Sequence, residues 1–516
     1  MLSTILAVYI AMLTSDLGSD GWDYARKNFK PGVSLGVLGP IDDLKPAASV
    51  DITEHALIFW LSVGTRFSTS MVNPYAEAGL YLGVNAGAGV SYVHGHGAVP
   101  HYFFGIPVPI SRDVWFRFVE PYTRFSMIDP KIYEFGLLIK FGFVRHAEAS
   151  CPHVYSFDGQ ENRLDADMLS GSFSKYAESE DIDRLEYLVA DKGRYHLRIA
   201  NDREERDYIN QVQLLAVDHD PENTVLPSPR GDLVKLGPLV APLAATDNRG
   251  HDERGAVLAE DSRNWRGQPL AHDPDKEDKP EDTLEITFPR PHGAGEPYLV
   301  LRLRNTDEAT KALYQYLGRI GPGIATLLRL EENNQKYPIK QRISDELERL
   351  GVPLHVQVHT AQGWRPLDSL RPVGPAAPRY QAIPLPTTDD ETVRVRLTGS
   401  PGAWEIDRVA IANGVHADAT TLVLTRAAGI AGLDIADTVS AADEDRLLLH
   451  TGEGIDLDFA APDPTPGKVR SLFLRLNGYY EVDVGGGYWL NPLALYRHNA
   501  GTDSAPRFFL RSLRAH

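Results

Sequence analysis

Residues 74 to 93, PYAEAGLYLGVNAGAGVSYV, alternate along their whole length. Ala76, Ala78, Leu80, Leu82, Val84, Ala86, Ala88 and Val90 fall on one face, and Glu77, Gly79, Gly83, Asn85, Gly87, Gly89 and Ser91 on the other. A period of two is that of a strand, whose successive side chains point to opposite faces. Strands of globular domains usually run about five or six residues. The spacing here predicts one much longer strand, with one face turned to a continuous apolar medium. The small side chains opposite suit the lumen of a narrow barrel.

The following segments keep the rhythm. In 101–111, HYFFGIPVPIS, Tyr102, Phe104, Ile106, Val108 and Ile110 share a face. In 115–127, WFRFVEPYTRFSM, the register breaks near Pro121, which predicts a bulge or a turn there. In 131–143, KIYEFGLLIKFGF, Tyr133, Phe135, Leu137, Ile139, Phe141 and Phe143 point outward and Glu134, Gly136, Lys140 and Gly142 inward. Glu134, Gly136, Ile139 and Phe141 resemble the closing-strand signal of bacterial outer-membrane barrels: polar, any, Gly, two of any, apolar, any, aromatic. Upstream, residues 32–39, 47–53 and 56–67 supply three more strands, for a total of seven. Single-chain barrels of this class have even strand numbers, so eight is expected, with residues 2–13 or 24–30 as the missing strand. The competing reading is a soluble lipocalin-like barrel or sandwich with its apolar face inward.

Beyond residue 150 the chain reads as mainly β, with short alternating strands such as YHLRI (195–199), VQLLAV (212–217), LEITF (284–288), YLVLRL (298–303), VRVRL (393–397) and SLFLRL (471–476). Helical spacing appears at 307–318 and 324–350. An internal echo relates Leu284, Ile286, Phe288 and YLVLRL to Ile455, Leu457, Phe459 and SLFLRL, each pair separated by a Pro-rich turn. The expected fold class is mainly β: an antiparallel barrel of about eight strands, then jelly-roll-like sandwiches with a short helical insertion. The expected division is 1–23 as a signal-like segment or first strand, 24–145 barrel, 146–305 first sandwich, 306–351 helical insertion, 352–412 small β domain, and 413–516 second sandwich and tail.

SCPHVYSFDG (150–159), DRLEYL (183–188), NQVQLLAVDHD (210–220), residues 247–252, GAWEIDRVAI (402–411) and NGYYEVD (477–483) resemble, in order and wording, a family of large uncharacterised bacterial envelope proteins. The resemblance spans nearly all of 150–484 and implies a family without implying an activity. It also implies that Cys151 opens a strand.

Composition narrows the partners. The net charge is -18, and residues 1–150 carry 13 acidic and 11 basic side chains, so -16 falls on the remainder. That acidic body, without a Lys/Arg stripe interleaved with aromatics, argues against a nucleic-acid partner. The single cysteine, Cys151, excludes an intramolecular disulfide and multi-cysteine metal sites. Its neighbour His153 gives only faint support for a reactive thiol against a buried one. No run of 18 to 20 apolar residues is present, so a helical span is not expected. The start, LSTILAVYIAML (2–13), has the length of a signal-peptide core but no preceding Lys or Arg; it reads as a degenerate signal, a first strand or a mis-assigned start.

Each candidate site has a plainer structural reading. His94, His96 and His101 offer three imidazoles, or a Gly-rich loop between strands. Asp218 and Asp220 around His219 suggest calcium or catalysis, or the turn that ends a strand before Pro221. Asp456 and Asp458 share a strand face and read as solvent-facing rather than as an acid/base pair. Trp265, Trp364 and Trp404 read as core or rim aromatics, with the alternative that one lines a sugar-binding face. Arg497, His498 and Asn499, with Trp489 and Tyr496, read as a surface tail. No G-x-S-x-G elbow, P-loop, dinucleotide fingerprint or H-E-x-x-H occurs. No catalytic residue and no cofactor are therefore assigned, and the ligand-binding and metal-binding residues stay open. The expected function is non-enzymatic: a barrel anchored in outer-membrane lipid, carrying sandwiches that bind a protein or a glycan. The alternatives are an envelope enzyme (a glycan hydrolase or a lipid-modifying barrel) and a soluble secreted or periplasmic binding protein.

Overall fold

The computed structural model describes residues 29–39, 43–57, 59–69, 71–81, 84–93, 97–109, 116–128, 133–141, 151–172, 175–203, 205–261, 263–273, 276, 280–320, 348, 352–482, 488–489 and 505–514. Two compact units divide the chain, one built mainly on residues 1–147 and the other on most of the remainder.

The first unit is a closed antiparallel barrel of eight strands: β1 (Phe29–Gly39), β2 (Lys45–Leu57), β3 (Phe59–Ser68), β4 (Met71–Tyr81), β5 (Asn85–Val93), β6 (Gly97–Gly105), β7 (Phe116–Ser126) and β8 (Tyr133–Phe141). Neighbours in sequence pair around the ring, and β1 closes it by pairing with both β2 and β8, as in Val33↔Val50 and Val33↔Ile139. Closure leaves no unpaired sheet edge.

The eighth strand comes from the segment expected to be one long strand. Residues 74–93 fold as a hairpin, β4 and β5, with Ala78 opposite Ala88 and Gly79 opposite Gly87. The alternation survives the turn, so the inward and outward sets stand as expected while the strand count rises by one. Residues 2–13 lie outside the described residues, and Phe29 and Lys30 simply begin β1. The expected break at Pro121 is absent: β7 runs through it, with Pro121 opposite Leu137, and the register shift sits between Phe116 and Phe118. A proline is tolerated at this point because its carbonyl still accepts the Ile106 N–H at 3.0 Å, while its missing N–H leaves only a local gap between β6 and β7.

The second unit holds two sandwiches, one inserted in the other. We label eight of its strands β9 (Arg194–Ala200), β10 (Glu205–His219), β11 (Asp282–Pro289), β12 (Glu296–Asn305), β13 (Thr392–Gly399), β14 (Trp404–His416), β15 (Gly454–Ala460) and β16 (Val469–Val482). In the first sandwich β9 pairs with β15 in one sheet and β10 with β16 in the other. Leu197, Ile199, Leu457 and Phe459 from one sheet share a core with Leu214, Leu472, Leu474 and Leu476 from the other. In the second, β11 pairs with β13 and β12 with β14, burying Leu284, Ile286 and Phe288 and Leu299, Leu301 and Leu303. The echo in the sequence thus marks an equivalent step in both: β11 to β12 and β15 to β16 each cross from one sheet to another.

The contiguous division of the body does not match this pairing. The expected first sandwich (146–305) and second sandwich (413–516) share sheets, and the expected small domain (352–412) supplies β13, β14 and their neighbours to the inserted sandwich. The chain leaves β10 at His219 and returns at Thr420, which pairs with Ala216. Strand partners lying about 200 residues apart carry no local signal.

Helix α1 (Asp307–Ile320) occupies the start of the expected insertion. Thr306 caps it, its Oγ1 accepting the Ala309 N–H at 3.1 Å. Residues 321–347 and 349–351 lie outside the described residues. Within the described part of the expected surface tail, Tyr488 and Trp489 pair in parallel with Ala56 and Leu57 of β2, and α2 (Ala505–Arg514) buries Phe509 and Leu510. Tyr496, Arg497, His498 and Asn499 are outside the described residues.

Candidate functional site: the inverted barrel

The barrel is inside out relative to a soluble fold. Its outward positions are filled by Val, Leu, Ile, Phe, Tyr, Ala, Pro and Thr, and among the described side chains none of them is charged. Leu35 is 73% exposed, Val72 60%, Val63 57% and Ile52 53%. Phe59 and Phe67 stand at the two ends of β3 and Tyr92 near the end of β5, all exposed.

The inward positions hold Ser34, Ser49, Asp51, Thr53, Arg66, Glu77, His101, Glu120, Arg124, Glu134 and Lys140, all buried. Burying that many charges requires pairing. Arg124 is the hub. Its guanidinium bonds both Glu77 oxygens, one at 3.1 Å, and Glu134 Oε1 at 2.9 Å. It also stands 4.6 Å from the ring centres of both Tyr75 and Tyr122. Arg66 reaches Glu134 Oε2 at 2.7 Å, and the Tyr122 hydroxyl donates to Glu134 Oε1 at 2.7 Å. His101 Nε2 meets Glu77 at 2.7 Å, and its Nδ1 meets Ser91 at 3.2 Å. Lys140 bonds Thr53, and Tyr75 donates to Asp51 at 3.1 Å. Beside these polar groups Trp60, Phe103, Tyr122 and Leu138 form a small apolar cluster. The eight-stranded interior is therefore filled by side chains, as its narrow bore permits.

Glycines make room for this filling. Gly79 and Gly87 face each other across β4 and β5, and the Trp60 indole lies over both: a Cβ on Gly79 would come 2.7 Å from Trp60 Cζ2, and one on Gly87 2.8 Å. The inward glycines that look featureless in the sequence are shaped by the tryptophan they accommodate.

His101 is a lumen residue bound to Glu77, and His94 and His96 lie outside the described residues. Asp218 receives the Arg470 guanidinium at 2.7 and 3.0 Å and the Thr465 N–H at 2.8 Å; the bonds from Arg470 outweigh burial and hold its carboxyl well below the ordinary range. Asp220 pairs with Lys468, and His219 Nε2 meets Ser471 Oγ at 2.8 Å. These contacts tie the end of β10 to β16. Asp456 pairs with Arg198 at 3.0 Å and Asp458 with His196 at 2.8 Å, cross-strand contacts between β15 and β9. Trp265 and Trp404 are buried; Trp364 is partly exposed, with the Arg396 guanidinium 4.1 Å over its ring. Cys151 is buried, and burial, with Asp167 and Glu205 nearby, pushes its thiol well above the ordinary range, the opposite of an activated nucleophile.

One group escaped the sequence reading. Asp247, His251 and Glu253 bring potential ligand atoms within 4.8 Å of one another. Arg249 already fills the cationic position, its guanidinium 2.9 Å from Asp247 Oδ2, and the Arg249 and His251 N–H groups bond Oδ1 at 2.9 and 2.8 Å. Burial opposes the charge, yet these bonds prevail and hold the Asp247 carboxyl down at about 2. The arrangement braces a loop around Gly250.

No family model and no curated protein matches the chain. Among solved structures, the GH31 alpha-xylosidase Xac1773 from Xanthomonas citri is similar at 10% identity and a TM-score of 0.15, over 83% of this chain and 38% of the xylosidase. PNGF-II is similar at 8% identity and a TM-score of 0.14, over 87% of this chain and 98% of its own. The chain thus spans well under half of the xylosidase, and likenesses this slight carry no argument about fold or function.

Proposed function

We propose that the protein is a non-enzymatic component of a bacterial outer membrane, in which the barrel is a lipid-embedded anchor and the body binds a protein or a glycan. One observation carries the proposal: an outward apolar belt, with no charge among its described side chains, surrounds a charged interior held by the ion pairs of Arg66, His101 and Arg124 with Glu77 and Glu134. In water such a belt is a large uncovered apolar surface, which soluble monomers rarely expose. In lipid it is the stable arrangement, because a closed barrel satisfies every strand and presents hydrocarbon to hydrocarbon. Strands of 9 to 13 residues meet the length a tilted strand needs to cross.

The eight-strand count also supports a sidedness. With an even number, Phe29 at the start of β1 and Phe141 at the end of β8 lie at one end of the barrel, and Tyr488 and Trp489 join β2 at that same end. In an outer membrane that end is the periplasmic one, which supports a chain that leaves the barrel into the periplasm. The filled lumen supports an anchoring role over a conducting one.

Membrane fractionation tests the proposal. The full-length chain is expected to stay with the outer membrane through a carbonate wash, and its body to resist added protease in intact cells. Recovery of the whole chain in the soluble phase would refute the anchor, and cleavage of the body in intact cells would refute the sidedness alone.

A further inference from the structure

One sheet of the inserted sandwich turns a face to solvent whose side chains differ from those of an ordinary solvated surface. The sheet runs in the order Ala244–Asp247, β11, β13, Leu354–Thr360, Gly363–Leu370. Its inward positions, such as Ile286, Val395 and Val356, are fully buried. The outward positions of the three central strands include no Val, Leu, Ile or Phe. Cross-strand pairing sets these outward residues in rows. In one row Thr287 lies opposite Arg394 and His359 opposite Trp364, and the pairing of Val358 with Val395 brings the two halves together. In the next, Arg396 lies between Glu285 and Gln357. Five strands give each row a length of about 19 Å, enough for several sugar rings end to end.

Two guanidiniums are held in place on this face. Arg396 stands 4.1 Å and Arg394 5.3 Å from the Trp364 ring centre, within the range of cation–π attraction. Both also bond Glu285, Arg396 through Nε at 3.1 Å and Arg394 through Nη2 at 3.3 Å. One carboxylate shared by two guanidiniums leaves the Trp364 end of the face net positive, in a body that is strongly acidic as a whole. The Arg394 side chain is still 45% exposed, so its fork of donors is open to solvent. The exposed His359 ring meets Trp364 edge-on, 5.1 Å between ring centres.

We propose that this face binds an acidic glycan, a chain of sugar rings that carry carboxylates. The proposal rests on the reading of the body as a binding module and narrows its ligand to one class. A guanidinium fork matches a carboxylate in two parallel hydrogen bonds, which a neutral hydroxyl cannot return. The Trp364 and His359 rings offer an apolar surface to the C–H side of a sugar, and Gln357 supplies both a donor and an acceptor to its hydroxyls. A protein partner calls for an apolar centre, and the central strands offer none. Because the groups stand on paired strands and the guanidiniums are already held by Trp364 and Glu285, little ordering is left for the ligand to impose.

The test uses full-length protein in nonionic detergent and isothermal titration with tetragalacturonate, with its methyl ester and with tetraglutamate. Tetragalacturonate is expected to bind, and the methyl ester, which keeps the rings and loses the charge, to bind about tenfold more weakly. Arg394→Gln and Trp364→Ala should each weaken tetragalacturonate binding by about tenfold with the Tm of the body unchanged, the second without altering any charge. If Trp364→Ala does not fold, Arg394→Gln decides alone. No binding at millimolar tetragalacturonate, or binding that these variants leave untouched, overturns the proposal. A methyl ester bound as tightly as the acid overturns the acidic class and leaves a glycan-binding body standing. Tetraglutamate bound as tightly as tetragalacturonate overturns the glycan and makes the face one for an acidic peptide. Each of these results leaves the membrane anchor as it was, since fractionation reads that separately.

Discussion

Val63 in the barrel and Val395 in the inserted sandwich occupy the same kind of position, the apolar phase of an antiparallel strand, yet Val63 is 57% exposed and Val395 is fully buried. Opposite Val63's face lie Ser62 and Arg66, buried in the lumen; opposite Val395's lie Arg394 and Arg396, which meet Glu285 on the surface. The two units use one periodicity with opposite outcomes. Alternation specifies which residues travel together, and the surrounding medium decides which set turns inward. In the sandwiches Leu457, Leu474 and their neighbours supply the driving force by leaving water. In the barrel the apolar set has no protein partner among the described residues, and cohesion inside comes from charge pairing centred on Arg124.

The largest effect expected from this contrast is that of Arg124→Ala. It removes the shared partner of Glu77 and Glu134 and leaves the two buried carboxylates with Arg66, His101 and the Tyr122 hydroxyl, a loss of about 3–5 kcal/mol. Urea unfolding of full-length protein in detergent, followed by heat-modifiable gel mobility for the barrel and near-ultraviolet dichroism for the body, should show the barrel lost and the body unmoved. Leu474→Ala should do the reverse, costing the body about 2–5 kcal/mol through the cavity it leaves. If Arg124→Ala left the barrel as stable as before, the charged lumen would not be its source of cohesion.

A second pair of substitutions probes the medium. Val63→Arg puts a charge on the outward belt, and Val423→Arg puts one at a body residue that is 68% exposed. In lipid vesicles the first should cost about 2–4 kcal/mol if Val63 lies near the bilayer midplane, and the second should stay within about 0.5 kcal/mol. Equal, small costs would mean that the belt faces water, and the anchor would fall with it.

Much of this was legible in the sequence, for a physical reason. Inward and outward sets depend only on parity, so Glu134 and Lys140 against Phe135 and Leu137, or Asn85 and Ser91 against Ala86 and Val90, could be read without knowing any partner. The hairpin turn within 74–93 could not, because Leu82, Gly83 and Val84 continue the alternation and no Asn-Gly or Asp-Gly marks the reversal. Strand order in the body was equally hidden. The echo between β11–β12 and β15–β16 revealed a repeated step, but the partners of those strands, β13–β14 and β9–β10, lie roughly 100 and 260 residues away. The buried acids at 205 and 207 were invisible too: within ERDYIN they look like any charged strand start, and only the fold shows that both are buried.

The smallest effect separates two uses of glycine. Gly79 has ordinary strand geometry, and its Cβ would press on the Trp60 indole and on the β5 backbone; Gly452 in the body has φ +86° with open space around it. Gly79→Ala should therefore destabilise the barrel by about 1–3 kcal/mol through crowding, and Gly452→Ala the body by about 1 kcal/mol through backbone strain. A second substitution tells the two mechanisms apart. Trp60→Phe shrinks the ring over Gly79, so in the Trp60→Phe background the cost of Gly79→Ala should drop by at least half in a double-mutant cycle. No change of neighbouring packing should rescue Gly452→Ala, because the penalty lies in its own dihedral. If the cycle at Gly79 came out additive, the indole would not be what keeps that position bare, and the contact with the β5 backbone would have to account for the whole cost.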